Sequence, residues 1–144
     1  MFDVGLLLAD DRANKDLWRT FLVYLTCSPK PAWEILEPQV AKDFDAIFHA
    51  HFRGMTAEPV TVDELLEVRE RLLARVAEWM DDPSRAFLLS VENEQPDFAM
   101  IGLPQARELP GVKRKLQNLA RRSAQKRRED GLQLNQALAR FSAT

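Results

Sequence analysis

The sequence predicts an all-α chain, a compact domain of about five to seven helices that ends in a long basic helix, and three observations carry that prediction. Apolar residues recur at spacings of three and four along most of the 144 residues. Prolines and glycines fall mainly at the ends of these periodic stretches. No run alternates apolar and polar positions for long enough to make a strand.

The elements follow in order. In NKDLWRTFLVYLTCS, residues Leu17, Trp18, Phe21, Leu22 and Leu25 form one helical stripe, with Asn14 as its cap and Pro29 and Pro31 as its stop. AWEILEP is a short apolar turn closed by Pro38. Val40, Phe44, Ile47, Phe48 and Phe52 then keep helical spacing up to Gly54, which predicts a helix over about 39–53. In TVDE, Thr61 can cap a helix while Glu64, three residues on, returns a bond to the Thr61 backbone N–H. The helix so opened, about 62–81, buries Leu65, Val68, Leu72, Val76 and Trp79. Asp82 and Pro83 mark a break, and SRAFLLSVENE starts a helix that must end before Pro96, because a residue preceding proline is driven out of the α region. Pro96, Asp97 and Phe98 start a short helix that ends at Gly102, with Asp97 near its N-terminal dipole and Phe98 and Ile101 buried. From Pro110 onward Val112, Leu116 and Leu119 form a narrow stripe that fades until Leu132, Leu138 and Phe141, so one long helix is expected, with Gly131 as the point where it would break.

A chain of this length can bury roughly two thirds of the surface its unfolded form exposes, and so needs no disulfide or metal to hold it. It has one cysteine, Cys27, which rules out an internal disulfide and reads as a packed thiol. No apolar run approaches the length of a membrane span, the opening MFDVGLLLADD has no basic n-region, and a cytoplasmic protein is expected. The net charge of -2 hides a segregation. Residues 1–112 carry 11 Lys and Arg against 20 Asp and Glu, whereas 113–144 carry 9 against 2. The chain is therefore read as an acidic helical body, 1–109, followed by a basic helix, 110–144, whose start packs on the same domain.

Several residues look chemical in isolation. Asp43 and Asp45 resemble a metal-holding carboxylate pair, but residues two apart on a helix diverge by about 200° and cannot share an ion. His49 and His51 meet the same objection, because helical histidines chelate at a spacing of four. Ser90, with Glu92 and Glu94 close behind it, has neither a Gly-x-Ser-x-Gly elbow nor a histidine at a usable spacing. The five glycines are scattered and make no phosphate-cradling loop. What remains is KRKLQNLARRSAQKRR, residues 113–128, in which Lys113, Arg114, Lys115, Arg121, Arg122, Lys126, Arg127 and Arg128 occur without one acid. Such a run attracts phosphate backbones. Equally, it can pair with the acidic body or stand solvated. Without aromatic platforms it would grip an RNA backbone rather than read bases.

Three blocks in order are more specific: FDVGLLL; then FLVYLTCSPKPAWEILEP with FRGMTAEPVTVDELLEVRERL; then AFLLSVENEQPDFAMIGLPQARELPGVKRKLQNLA. Together they resemble the C-terminal half of the AbiEii/AbiGii nucleotidyltransferase toxin family, over residues 2–120. The most distinctive parts are Phe52 to Thr56, the Pro96-Asp97-aromatic turn, and Leu109-Pro110 leading to Lys115-Leu116-x-Asn118-Leu119. The resemblance implies a bacterial toxin of the toxin–antitoxin or abortive-infection (phage-defence) kind that transfers nucleotides to an RNA or protein acceptor with Mg²⁺. It also implies a mixed α/β catalytic core ahead of a helical domain. The core's Gly-Ser turn, its Asp-x-Asp pair and its nucleotide-contacting lysine have no counterpart in this sequence, and two-metal phosphoryl chemistry needs them.

Of the charged motif that opens the family's helical half, Phe2-Asp3-Val4 alone matches, so Asp3 is the one residue the resemblance implies near an active site. A tryptophan usual in the family after the Pro-Asp turn is Phe98 here, and another, before the Lys-Leu-x-Asn-Leu stretch, is Arg114. The expectation is a helical domain with no transfer activity and no catalytic residue of its own. It would need Mg²⁺ and a nucleoside triphosphate only when completed by a core. Its expected partners are an antitoxin, a separately encoded core, or tRNA or another RNA. The alternative is a stand-alone RNA- or partner-binding module.

Overall fold

A computed structural model describes residues 15–37, 42–52, 54–55 and 59–142. Asp3, Asn14 and Val40 lie outside the described residues. Those described are helical, with no strand among them. The α-helices are α1 (Lys15–Cys27), α2 (Ala32–Leu36), α3 (Phe44–Ile47), α4 (Val62–Trp79), α5 (Asp82–Glu92), α6 (Pro110–Ala120) and α7 (Ala124–Ser142). Two 3-10 turns, Phe98–Ile101 and Pro104–Glu108, lie between α5 and α6.

Contacts divide the chain into two units, one of residues 1–13 and 39–76 and the other of 14–38 and 77–144. In the first unit, the helix expected over 39–53 is short: α3 passes into a π-helical stretch, Phe48–Phe52, with Phe48 buried and Ile47 exposed. The capping box ahead of α4 forms as its sequence dictates. The Thr61 N–H donates to Glu64 Oε2 at 2.8 Å and the Glu64 N–H to Thr61 Oγ1 at 3.2 Å, which satisfies two donors that a helix start otherwise leaves unpaired.

The second unit is built around α1, whose buried residues Trp18, Leu22 and Leu25 recur at three and four. Leu17, on the edge of the expected stripe, is exposed. Helix α1 packs against α2, α5 and α6, while α7 packs against α2 and α5. The break expected at Asp82 and Pro83 falls just ahead of them, at Met80 and Asp81; Pro83 sits in the first turn of α5, where its missing N–H costs nothing, and Asp81 caps that helix. Asp81 Oδ1 accepts from the Ser84 N–H at 2.9 Å and from Ser84 Oγ at 2.6 Å. Ser84 Oγ in turn accepts from Trp18 Nε1 at 3.0 Å, which ties the cap of α5 to the middle of α1.

The turn after α5 has its own logic. Glu94 takes a left-handed conformation, φ 65°, so that its N–H reaches the Val91 carbonyl and the Gln95 N–H reaches that of Ser90. Ser90 Oγ donates to the Phe87 carbonyl at 2.6 Å and accepts from the Asp97 N–H at 3.1 Å. Asp97 Oδ1 then caps the first 3-10 turn by accepting from the Ala99 N–H at 3.1 Å. Phe98 and Ile101 are buried as expected, with the Phe98 ring 5.0 Å from that of Phe87. Gly102 ends the turn at φ 72°, a conformation that favours glycine.

The C-terminal helical run is interrupted at Arg121–Ser123 rather than at Gly131, so α6 and α7 are separate helices. Each side of the break has its own caps. Arg122 Nε donates to the Leu119 carbonyl at 3.1 Å and Arg127 Nη2 to the Ala120 carbonyl at 3.2 Å, satisfying acceptors at the end of α6. Ser123 Oγ accepts from the Lys126 N–H at 3.1 Å, as an N-cap serine does. Gly131 lies in the interior of α7. The stripe of α6 is Val112, Lys115 and Leu119, with a lysine in a place where the apolar pattern pointed to Leu116.

Candidate nucleic-acid interface

The eight basic residues of 113–128 fall into three groups. Lys115 is buried, at 8% exposure, on the inner stripe of α6. Its Nζ donates to the Ser28 carbonyl at 2.8 Å and the Lys30 carbonyl at 2.7 Å, just past the C-terminus of α1, where carbonyls lack helical partners and the dipole favours a cation. Burial pushes its pKa below the usual lysine value, against the attraction of Glu92 and Asp130.

Arg122, Lys126 and Arg127 are tied into carboxylates. Arg122 Nη1 donates to Glu92 Oε1 and, at 3.0 Å, to Asp130 Oδ2, while Nη2 donates to the Glu92 carbonyl at 3.1 Å. The Arg122, Glu92 and Asp130 side chains are only 10%, 13% and 6% exposed, so these charges are paired where water screens them little. Lys126 Nζ reaches Asp130 Oδ1 at 2.8 Å. Burial pushes the Asp130 carboxyl up, but the bonds from Lys126 and Arg122 outweigh it and hold the group below its ordinary value. The same Asp130 bond raises the Lys126 pKa. Arg127 Nη2 meets Glu94 Oε1 at 3.3 Å. Lys113 makes a looser, exposed pair with Glu108 at 2.8 Å, and its hydrogen bond and charge lower the Glu108 pKa.

Arg114, Arg121 and Arg128 form the third group: all are exposed, and none has a charged or hydrogen-bonded partner for its side chain among the described residues. Arg114 lies on α6 away from its buried stripe, and Arg121 is the residue that caps the C-terminal end of that helix. The structure thus divides a run that is uniform in sequence into an anchored set and a free set. The anchoring of Lys115, Arg122 and Arg127 on Ser28, Lys30, Glu92 and Glu94 spans 30 to 87 positions, which no local pattern exposes, whereas the Lys126–Asp130 pair is a local i,i+4 one.

The remaining candidates have local roles. His49 Nε2 lies 3.5 Å from Asp45 Oδ1, a helical i,i+4 pair on an exposed surface. Asp43 sits at the start of α3 with no side-chain capping bond. Ser90 braces the turn before Asp97, and Glu92 and Glu94 receive arginines. Cys27 is a half-buried free thiol against Gly111. Among the described residues no three His, Cys, Asp or Glu side chains gather as metal ligands, and no helix is long and apolar enough to cross a membrane. No family model matches the chain, and no curated protein or solved structure matches it significantly.

Proposed function

We propose that this chain is a helical accessory domain of a nucleotidyltransferase-type toxin, of the kind its sequence resembles, and that it contributes RNA-backbone contacts rather than nucleotide transfer. The observation that supports the RNA contact is the free set: Arg114, Arg121 and Arg128 are exposed and unspent on protein partners among the described residues, in a stretch where the other basic side chains are engaged. Guanidinium groups in that state are ready phosphate ligands, because they need break no existing ion pair to bind. The same three arginines would serve a stand-alone RNA-binding module. The resemblance adds the expected protein partners, an antitoxin or a separately encoded core that would bring Mg²⁺ and a nucleoside triphosphate.

A tRNA mobility shift across a series of salt concentrations tests the contact. Replacing all three arginines by Gln should weaken binding and reduce the slope of log affinity against log salt by about 2, as expected for three lost contacts to a single strand. An unchanged slope would overturn the backbone reading. Nucleotide transfer by the purified chain alone with Mg²⁺ would overturn the accessory role.

A further inference from the structure

Tyr24, on α1, is the one exposed aromatic residue among those whose burial is described, at 62% exposure. Its hydroxyl has no hydrogen-bond partner among the described residues. The half-buried Phe21 and the exposed Leu17 precede it by three and seven positions, so Tyr24 ends a short apolar strip along one face of α1. A ring held in this way offers a flat apolar face to a ligand while its polar tip stays in water.

The strip lies close to the basic segment through one contact. Tyr24 stands one turn before Cys27 on α1, and Arg114 stands one turn after Gly111 on α6. Cys27 and Gly111 touch, since a Cβ on the glycine would come to 3.6 Å from the Cys27 Cα. Residues three apart in a helix have Cα atoms about 5 Å apart, so the Cα atoms of Tyr24 and Arg114 are separated by no more than about 15 Å. Both side chains are exposed, and neither is engaged by a charged or hydrogen-bonding group among the described residues. The acid that precedes α6, Glu108, is paired with Lys113. A single nucleic-acid strand is flexible, so one strand can meet two such groups without their facing each other.

We propose, building on the RNA reading above, that Tyr24 is a stacking platform for an unpaired base of a single-stranded RNA whose phosphates are held by Arg114 and the other free arginines. Every base has a π-face, so the platform tells unpaired RNA from paired RNA without telling one base from another. In a duplex each internal base is already covered by its neighbours, and the ring has no face to take. An apolar strip by itself suits a protein surface equally well. Phosphate-binding charge within reach of one strand decides for RNA.

The test compares binding of the full chain to a short oligoadenylate, to a blunt RNA duplex and to inorganic polyphosphate. Tyr24→Ala should weaken oligoadenylate binding about tenfold, as the loss of one stacked base requires. It should leave the other two ligands within about twofold, with the slope of log affinity against log salt unchanged, because no charge is removed. Tyr24→Phe should bind oligoadenylate as the unaltered chain does, since the ring and not the hydroxyl stacks. Tyr24 is the chain's single tyrosine, so its ring resonances can be followed directly and should move upfield as oligoadenylate is added. The site is exposed, and circular dichroism checks that each variant is folded. Unchanged oligoadenylate binding by the Ala variant would overturn the proposal and leave the strip to a protein partner. A loss common to all three ligands, or no binding of oligoadenylate by the unaltered chain, would overturn it as well. If replacing Arg114, Arg121 and Arg128 leaves the salt slope unchanged while Tyr24→Ala still weakens binding, the backbone reading falls and the platform stands; the reverse pair of results removes the platform alone.

Discussion

Helices α6 and α7 are consecutive and both basic, yet α6 is held chiefly by close contact and α7 chiefly by charge. In α6, Gly111 lies so near α1 that an added Cβ would stand 2.9 Å from Cys27 Sγ and 3.0 Å from its Cβ. Val112 and Leu119 are buried beside it. In α7, Leu134, Ala137 and Leu138 make an apolar seam, but the first turns are held by Asp130 between Arg122 and Lys126, and the last by Arg140 on Glu37 at 2.7 Å. Gly131 there has open space, with nothing within 4 Å of an added Cβ. The same residue type therefore marks a tight approach in one helix and a spare position in the next.

Five substitutions probe this contrast. Arg122→Ala should cost most, about 3–5 kcal/mol in urea unfolding, because it strands two nearly buried carboxylates. A loss below about 1 kcal/mol would mean that charge does not hold α7. Gly111→Ala should cost about 1–3 kcal/mol by overpacking. Adding Cys27→Ala to that chain should recover part of the loss, and a purely additive double variant would show that the contact with Cys27 is not the cause.

The pH dependence gives a smaller, directional check on the charged side. Asp130 is held below its ordinary pKa, so its contribution is fully present above the unfolded value near 3.8 and fades as pH falls through the lower folded value. Asp130→Asn should flatten that part of the acid limb. An identical limb in the variant would mean that the pairing carries no linkage. Gly131→Ala should have the smallest effect and the opposite sign to Gly111→Ala, a gain of about 0.5–1 kcal/mol from helix propensity in unfilled space.

What could be read in advance follows the range of the interaction. The Thr61–Glu64 box and the Asp97 turn with its buried Phe98 were legible, since each is decided within a few residues. The break before Ser123 was not, because a serine preceded by two arginines has no glycine or proline to announce it, and its stability draws on Glu92 thirty positions away. Gly131, a poor helix former by propensity, stays helical inside α7, with buried residues on both sides of it. Of the basic run, its charge was legible but not its partition: Lys115 at one spacing is a buried cap, while Arg114 beside it is free. The nearness of Tyr24 to Arg114 was invisible for the same reason, since it runs through the contact of Cys27 with Gly111.

The buried ammonium of Lys115 also sets a clock. It meets carbonyls 87 and 85 positions earlier in the chain, and a solvated lysine gives up its water only once the end of α1 and the inner face of α6 have met. The bond is therefore expected to close late in folding and to act as a latch against unfolding. Replacing the lysine with methionine should steepen the loss of the folded state, by raising the unfolding limb of a denaturant chevron, while leaving the folding limb nearly where it was. One side chain at the start of the basic stretch would thus govern how long the fold lasts more than how fast it forms.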